Sequence, residues 1–264
     1  CATVAGQIVA ALVVMKNGFR KPPELRKFPR CIAAIYRLGT PNILMQAAYT
    51  VYIFGLNLIL ATFSDQAVTV LGLYYKWQSF FFIPLGSMQT CIVPVVSYNY
   101  AARNIDRCKK TLVTAIVFGM ALMFLGTLCF EIIPGPMLRV FSSDEKVIEI
   151  GVTAFRIIGI SFIPLVSSLT FPVFFQAVGW SLKSSLLTVF RTVVLFVPLA
   201  FIFSRIGGLD WFWLTFPVTD SLSTLLGFIW YKKFMRRPYA SGKKPDDAQK
   251  PEEIIKPVSY THLR

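Results

Sequence analysis

One histidine, His262, is the whole imidazole content of this 264-residue chain. Histidine-built zinc sites and Ser-His-Asp triads therefore lack their parts. Charge is scarce too. Charged residues make up 15% of the chain, where a soluble domain carries about a quarter. Acidic residues are the rarer sign, 13 Asp and Glu against 27 Lys and Arg. No HExxH, GxSxG or glycine-rich phosphate loop occurs, and no two carboxylates stand together inside an apolar run. The sequence thus offers no recognisable catalytic motif. Five cysteines, Cys1, Cys31, Cys91, Cys108 and Cys129, make no CxxC pair and no metal-ligand spacing. They read as free thiols, and neither a metal nor a cofactor is expected.

Apolar surface is what the chain has in abundance. It is 55% hydrophobic and 15% aromatic, with 24 Phe, and its mean hydropathy is +0.60. Several apolar runs are long enough to cross a hydrocarbon core of about 30 Å. They lack the two-residue alternation of barrel strands, so the predicted fold is an all-α integral membrane bundle. The first run, 1–15, has no basic segment before it and is not a signal peptide. It reads as the tail of a span. A basic segment, 16–40, follows with Lys16, Arg20, Lys21, Arg26, Lys27, Arg30 and Arg37 against Glu24 alone. Six spans are predicted within 41–235, near 41–63, 67–97, 112–130, 151–178, 184–203 and 211–231. A Lys/Pro/Asp/Glu-rich tail, 236–257, is expected to be disordered. Residues 258–264 look like a translated sequencing adapter, which sets His262 aside.

The loops sort by charge. The segments 16–40, 99–110 and 179–183 and the tail carry most of the Lys and Arg. The 131–149 loop between them is acidic, with Glu131, Asp144, Glu145 and Glu149 against Arg139 and Lys146. Each span reverses the side, so every basic loop falls on one face. The positive-inside rule makes that face, and the C-terminus, cytoplasmic. The chain is expected to be a multi-pass protein of the cell membrane. The net charge of +14 then reflects topology, with no nucleic-acid partner implied.

Within the spans, polar and helix-breaking residues mark candidate function. Pro84, Pro94, Pro164 and Pro172, with Pro198, each remove a helix hydrogen bond. Two readings stand: hinges around a wet cavity, or the ordinary frequency of Pro in membrane helices. Lys76, Arg156, Arg191 and Asp220 are ionisable groups inside apolar runs, where such groups face a bundle interior or a partner. Arg156 and Arg191 are long enough to snorkel. Asp220 is not, and a pair with Arg191 is one way to neutralise it. Tyr75, Gln78, Phe82 and Gln89 share a helical stripe, and Gln46 and Tyr49 share a face of the preceding span. Amides and aromatics on one side fit a pocket for an aromatic, cationic compound. They also fit helix packing with polar glue.

Several strings resemble the C-terminal half of the multidrug and toxic compound extrusion (MATE) family. They are Phe80-Phe-Phe-Ile-Pro-Leu-Gly86, Val93-Pro-Val-Val-Ser-Tyr-Asn-Tyr-Ala-Ala-Arg103, Asp106-Arg-Cys-Lys-Lys-Thr111, Phe175-Gln-Ala-Val-Gly179, the stretch from Arg191 to Pro198, and Pro217-Val-Thr-Asp-Ser-Leu222. Lys27-Phe-Pro-Arg30 before Gly39-Thr-Pro41 resembles the family's central link. The resemblance implies a 12-helix antiporter of two lobes around a central cavity. Such proteins export organic cations and other small-molecule drugs in exchange for Na⁺ or H⁺. On that mapping 1–15 ends helix 6, 16–40 is the inter-lobe linker, and 41–235 is the six-helix C-lobe, helices 7–12. The N-lobe of the same chain is the missing partner, and the fragment alone is expected to be inactive. Ala101 stands where the family usually has glycine. Helices 7 and 10 carry no acidic residue, which points to the bacterial branch whose coupling carboxylate lies in the N-lobe. The alternative is a related lipid-linked oligosaccharide flippase, whose cavity should be more cationic.

Overall fold

The computed structural model describes residues 2–18 and 28–235. The middle of the basic segment, the tail 236–257 and the end 258–264 lie outside the described residues. Within them the chain is helical almost throughout. The elements are α1 (Ala2–Gly18), α2 (Phe28–Ala61), α3 (Asp65–Ala101), α4 (Ile105–Ile132), the short α5 (Pro134–Arg139), α6 (Glu145–Ala177), α7 (Ser181–Val189), a π-helical segment (Phe190–Phe196) and α8 (Val197–Met235).

Short polar breaks in the sequence become helix caps. The Ser64 side chain accepts the Ala67 N–H at 3.1 Å, Asn104 accepts that of Arg107 at 3.2 Å, and Asp144 that of Lys146 at 3.0 Å. Each satisfies an orphan donor of a helix start. The helices reach further than the apolar runs predict. Arg30 and Arg37 stand in the first turns of α2 rather than in a loop, and only residues 102–104 separate α3 from α4. Arg103 takes the left-handed φ of 59° in that turn, two residues beyond Ala101, which ends α3. The acidic 131–149 stretch contains α5. Its place is set by Trp77, whose Nε1 donates to the Met137 carbonyl at 3.1 Å.

Among the described residues, five helical stretches are long and apolar enough to cross a membrane. The last, Ser181–Met235, has 55 residues, which as a straight rod would be roughly 80 Å long. It does not run straight. Gly208 has φ 70° and ψ −149° inside α8, and the chain folds back there. Phe203 meets Trp211 with ring centroids 6.3 Å apart, and Phe196 meets Phe216 at 4.8 Å. The stretch is therefore two antiparallel spans, 181–207 and 209–235, which brings the spans within 41–235 to six. Gly208 occupies backbone space essentially reserved for glycine. Its neighbour Gly207 lies so close under the Trp211 ring that a Cβ there would overlap it.

α6 is the central helix, packed against α3, α4, α7 and α8. Lipid supplies no hydrophobic drive between helices, so close approach through small residues and interlocking rings has to hold them. A Cβ on Gly159 would come within 2.9 Å of Phe130, and one on Gly227 within 2.6 Å of Phe171. Phe130 stacks on Phe155 at 4.6 Å and leans on Phe162 at 4.8 Å. A second aromatic cluster, with Phe174, Phe175, Trp180 and Phe234, closes the end where α6 finishes and α8 stops. α3 and α6 remain single helices across Pro84, Pro94, Pro164 and Pro172. The one non-helical residue within α8 is Gly208, not Pro198 or Pro217. Cys91, Cys108 and Cys129 are free thiols.

Candidate functional site: a buried ion pair behind an aromatic wall

The site is assembled from α2, α3, the π segment and the second arm of α8. Seven residues, Phe190–Phe196, adopt π geometry, which widens the helix by one residue per turn and recurs at functional sites. The segment stops two residues before Pro198, which has no N–H to offer the ladder. Arg191 lies in its first turn. Its Nε donates to Asp220 Oδ1 at 2.7 Å, and Nη2 is also 2.7 Å from that oxygen. The side chain of Asp220 is 1% exposed and that of Arg191 13%. A straight helix would hold these residues roughly 44 Å apart; the reversal at Gly208 joins them.

Aromatic rings wall the pair in. Tyr52 meets Phe196 edge-on at 4.7 Å, Phe196 meets Phe216 at 4.8 Å, and Phe216 meets Tyr74 at 5.2 Å. Tyr74 leads to Tyr75 at 5.4 Å, and Tyr52 leads outward to Tyr49 at 5.8 Å. Tyr52, Tyr74 and Tyr75 all lie within electrostatic reach of Arg191. The Tyr52 and Tyr75 hydroxyls approach one another, yet Tyr75 Oη closes no well-formed hydrogen bond. Tyr49 is 45% exposed, so the series of rings runs from the surface to the ion pair.

The sequence-derived candidates divide. Tyr75 and Tyr49 join this wall. Gln46 is exposed one turn away, in a shallow hollow with Ile43, Ala47 and Thr50. Gln78 is half-buried, and Phe82 packs on Phe162 at 6.4 Å. Gln89 is half-buried with its Nε2 unpartnered. Lys76 is exposed and stands 4.8 Å over the Phe141 ring, beside α5. Arg156 is exposed on α6. Neither meets Asp220. Pro84 and Pro94 are exposed, Pro164 half-buried and Pro172 buried. Sequence reasoning missed Tyr52, Tyr74 and the π segment. Tyr52 had a signal, its three-residue spacing from Tyr49. The π register had none beyond Pro198. Among the described residues, no group of three or more His, Cys, Asp or Glu gathers as a metal site.

Known proteins share this arrangement of helices. The MatE family profile matches residues 41–202. The multidrug export protein MepA of Staphylococcus haemolyticus is 23% identical over 176 residues, covering 66% of this chain and 38% of that protein. MepA of Staphylococcus aureus is 21% identical over 199 residues, covering 75% of this chain and 44% of that protein. The chain thus spans about two fifths of the length of these relatives. A MATE crystal structure in complex with MaL6 superposes with a TM-score of 0.77 at 21% identity, covering 89% of this chain and 55% of that one. A MOP-superfamily transporter from Pyrococcus furiosus, described for the reverse polarity of its binding pocket, superposes at 0.74 and 22% identity, covering 88% and 54%.

Proposed function

Since the chain belongs to the MatE family, we propose that it forms the C-terminal lobe of a multidrug efflux transporter, not of an enzyme. The cargo is a small amphiphilic drug or organic cation, exchanged for Na⁺ or H⁺. One observation carries the reading: the Arg191–Asp220 pair lies behind aromatic rings that extend to the exposed Tyr49. Ring faces and edges take up flat apolar drugs of many shapes and attract cations. A buried pair that needs all its partners is suited to an element with two arrangements. The family match and the MepA relatives favour efflux over oligosaccharide flipping. The cavity is completed by the N-lobe, which supplies the coupling carboxylate.

Orientation follows from charge. The turn after α3, the start of α7 and the end of α8 meet through Tyr100, Trp180 and Phe234. That end carries Arg103, Arg107, Lys109, Lys110, Lys183, Lys232 and Lys233 against Asp106. We assign it to the cytoplasm of a cell-membrane protein.

The test is efflux of a fluorescent organic cation from proteoliposomes holding the full-length protein under an imposed Na⁺ or H⁺ gradient. Gradient-driven efflux is expected, and the driving gradient identifies the ion. Asp220→Asn is expected to lower transport more than Arg156→Gln. Efflux under neither gradient, from folded protein, would transfer the reading to the flippase. Wild-type transport by Asp220→Asn would remove that residue from the mechanism.

A further inference from the structure

The buried face of the second arm of α8 is not all apolar. Thr215, Thr219 and Ser223 succeed one another at four-residue steps and so share a face. Each is fully buried, and none of the three hydroxyls has a hydrogen-bond partner within the protein. Elsewhere in the fold such side chains bond back to their own helix, as Thr170 does to the Val166 carbonyl at 2.7 Å and Thr192 to that of Thr188 at 2.8 Å. This row departs from that habit.

α6 faces it with the same deficit. Ser168 is buried, and its hydroxyl is also unpartnered. Two contacts fix the level. Thr224 Oγ1 donates to the Pro164 carbonyl at 2.8 Å, and Gly227 abuts Phe171. Ser168 lies between those two α6 residues, and Ser223 precedes the first of their partners. Prolines add acceptors short of donors. Pro172 has no N–H for the Ser168 carbonyl, and Pro217 has none for that of Trp213. Trp213 is buried, and its indole N–H is itself unpartnered. The Ser168 end of the row thus combines an unused donor with a carbonyl deprived of its helix partner; Trp213, two residues before Thr215, leaves the helix on the other side, against Phe216.

A dry seam would leave these groups stranded, which membrane interiors penalise heavily. A buried water makes about three hydrogen bonds and serves donors and acceptors together. We propose that the α6–α8 seam holds a file of ordered water, running from Ser168 and Ser223 past Thr219 to Thr215. Thr219 is the residue before Asp220, so the file lies alongside the ion pair. It gives the buried carboxylate a polar neighbour on the side away from the tyrosines.

X-ray radiolytic footprinting of the full-length protein in nanodiscs tests this, because hydroxyl radicals born on bound water oxidise the side chains beside it. Phe171 is expected to label several-fold faster than Phe130 and Phe155, which are stacked away from the row. Thr219→Val keeps the shape and removes the hydroxyl. It is expected to reduce labelling of Phe171 and to lower Tm. Equal labelling of Phe171, Phe130 and Phe155 would overturn the proposal. So would a Tm raised by Thr219→Val, since that variant relieves an unmade hydrogen bond only where the seam is dry. If Thr219→Val fails to fold, Ser168→Ala carries the same comparison.

Discussion

Arg191 places two nitrogens on one carboxylate oxygen of Asp220, each at 2.7 Å. Such a pair gains little over apolar residues of equal volume, because both charges had to leave water. Breaking it is another matter, since the survivor keeps its charge without a partner. Asp220→Asn and Arg191→Gln are each expected to cost about 3–5 kcal/mol. The double variant should cost clearly less than their sum, as contacting residues couple. Thermal unfolding of the four proteins in detergent measures this, and simple additivity would deny the coupling. Tyr75→Ala and Gln78→Ala are expected to change which compounds are exported more than how much protein is made. A loss confined to expression would return both to helix packing. Asp220 was legible as the one acid deep in its span, whereas Arg191 read, like Arg156, as a cation long enough to snorkel or to pair. Their meeting was legible only as one option, because 29 residues separate them and a turn between two predicted spans does not say which faces come together. Lys76 and Arg156 looked equivalent in sequence. What separates them from Arg191 is the direction each side chain takes, which depends on helix neighbours.

Helices and their number were the most legible features, because apolar length and short polar breaks report directly on bilayer crossing. Ser64, Asn104 and Asp144 stand at those breaks and cap the helices that follow. The prolines were less informative. Pro84 and Pro94 sit in one unbroken helix, whereas the real break is at Gly208, inside the gap between the predicted spans 184–203 and 211–231, which did not single out that residue. Two adjacent glycines are a weak signal, and the requirement is set by the tertiary turn. Gly208→Ala is expected to destabilise the fold by about 1–3 kcal/mol, the range for a residue forced into sparsely populated backbone space. A Tm shift no greater than that of Gly72→Ala, a glycine with open space around it, would show the corner to be tolerant. The π segment is equally specific in effect. It sets the rotation at which Arg191 leaves the helix, and a regular α register there would turn it by roughly 100°.

The whole molecule is sorted by charge, basic at one end and acidic at the other, and that sorting is checkable. In a cysteine-free background, Lys109→Cys is expected to react with a membrane-impermeant maleimide only from the cytoplasmic side. Ser143→Cys, beside the α6 cap, is expected to react only from outside. The reverse pattern would invert the proposed orientation. The isolated 264-residue chain is expected to show no net efflux, because the cavity needs its other lobe. The family's helical fold was legible through the quoted strings, whereas the tyrosine wall was only partly so, because its contacts join Tyr52 to Phe196 and Tyr74 to Phe216, residues 144 and 142 positions apart in sequence. One consequence follows from the corner at Gly208. Its two arms are joined by a single non-helical residue, and adjacent Cα atoms are only about 3.8 Å apart. Such a joint has no slack, and Trp211 packed over Gly207 wedges it further. The arms cannot slide past one another by a helical turn. An axial shift of Asp220 then carries Arg191 with it, so along the helix axes the two spans act as one lever. Relative motion at the ion pair then has to come from α2 and α3, and the sliding surface is the ring-to-ring contact between Tyr52 and Phe196.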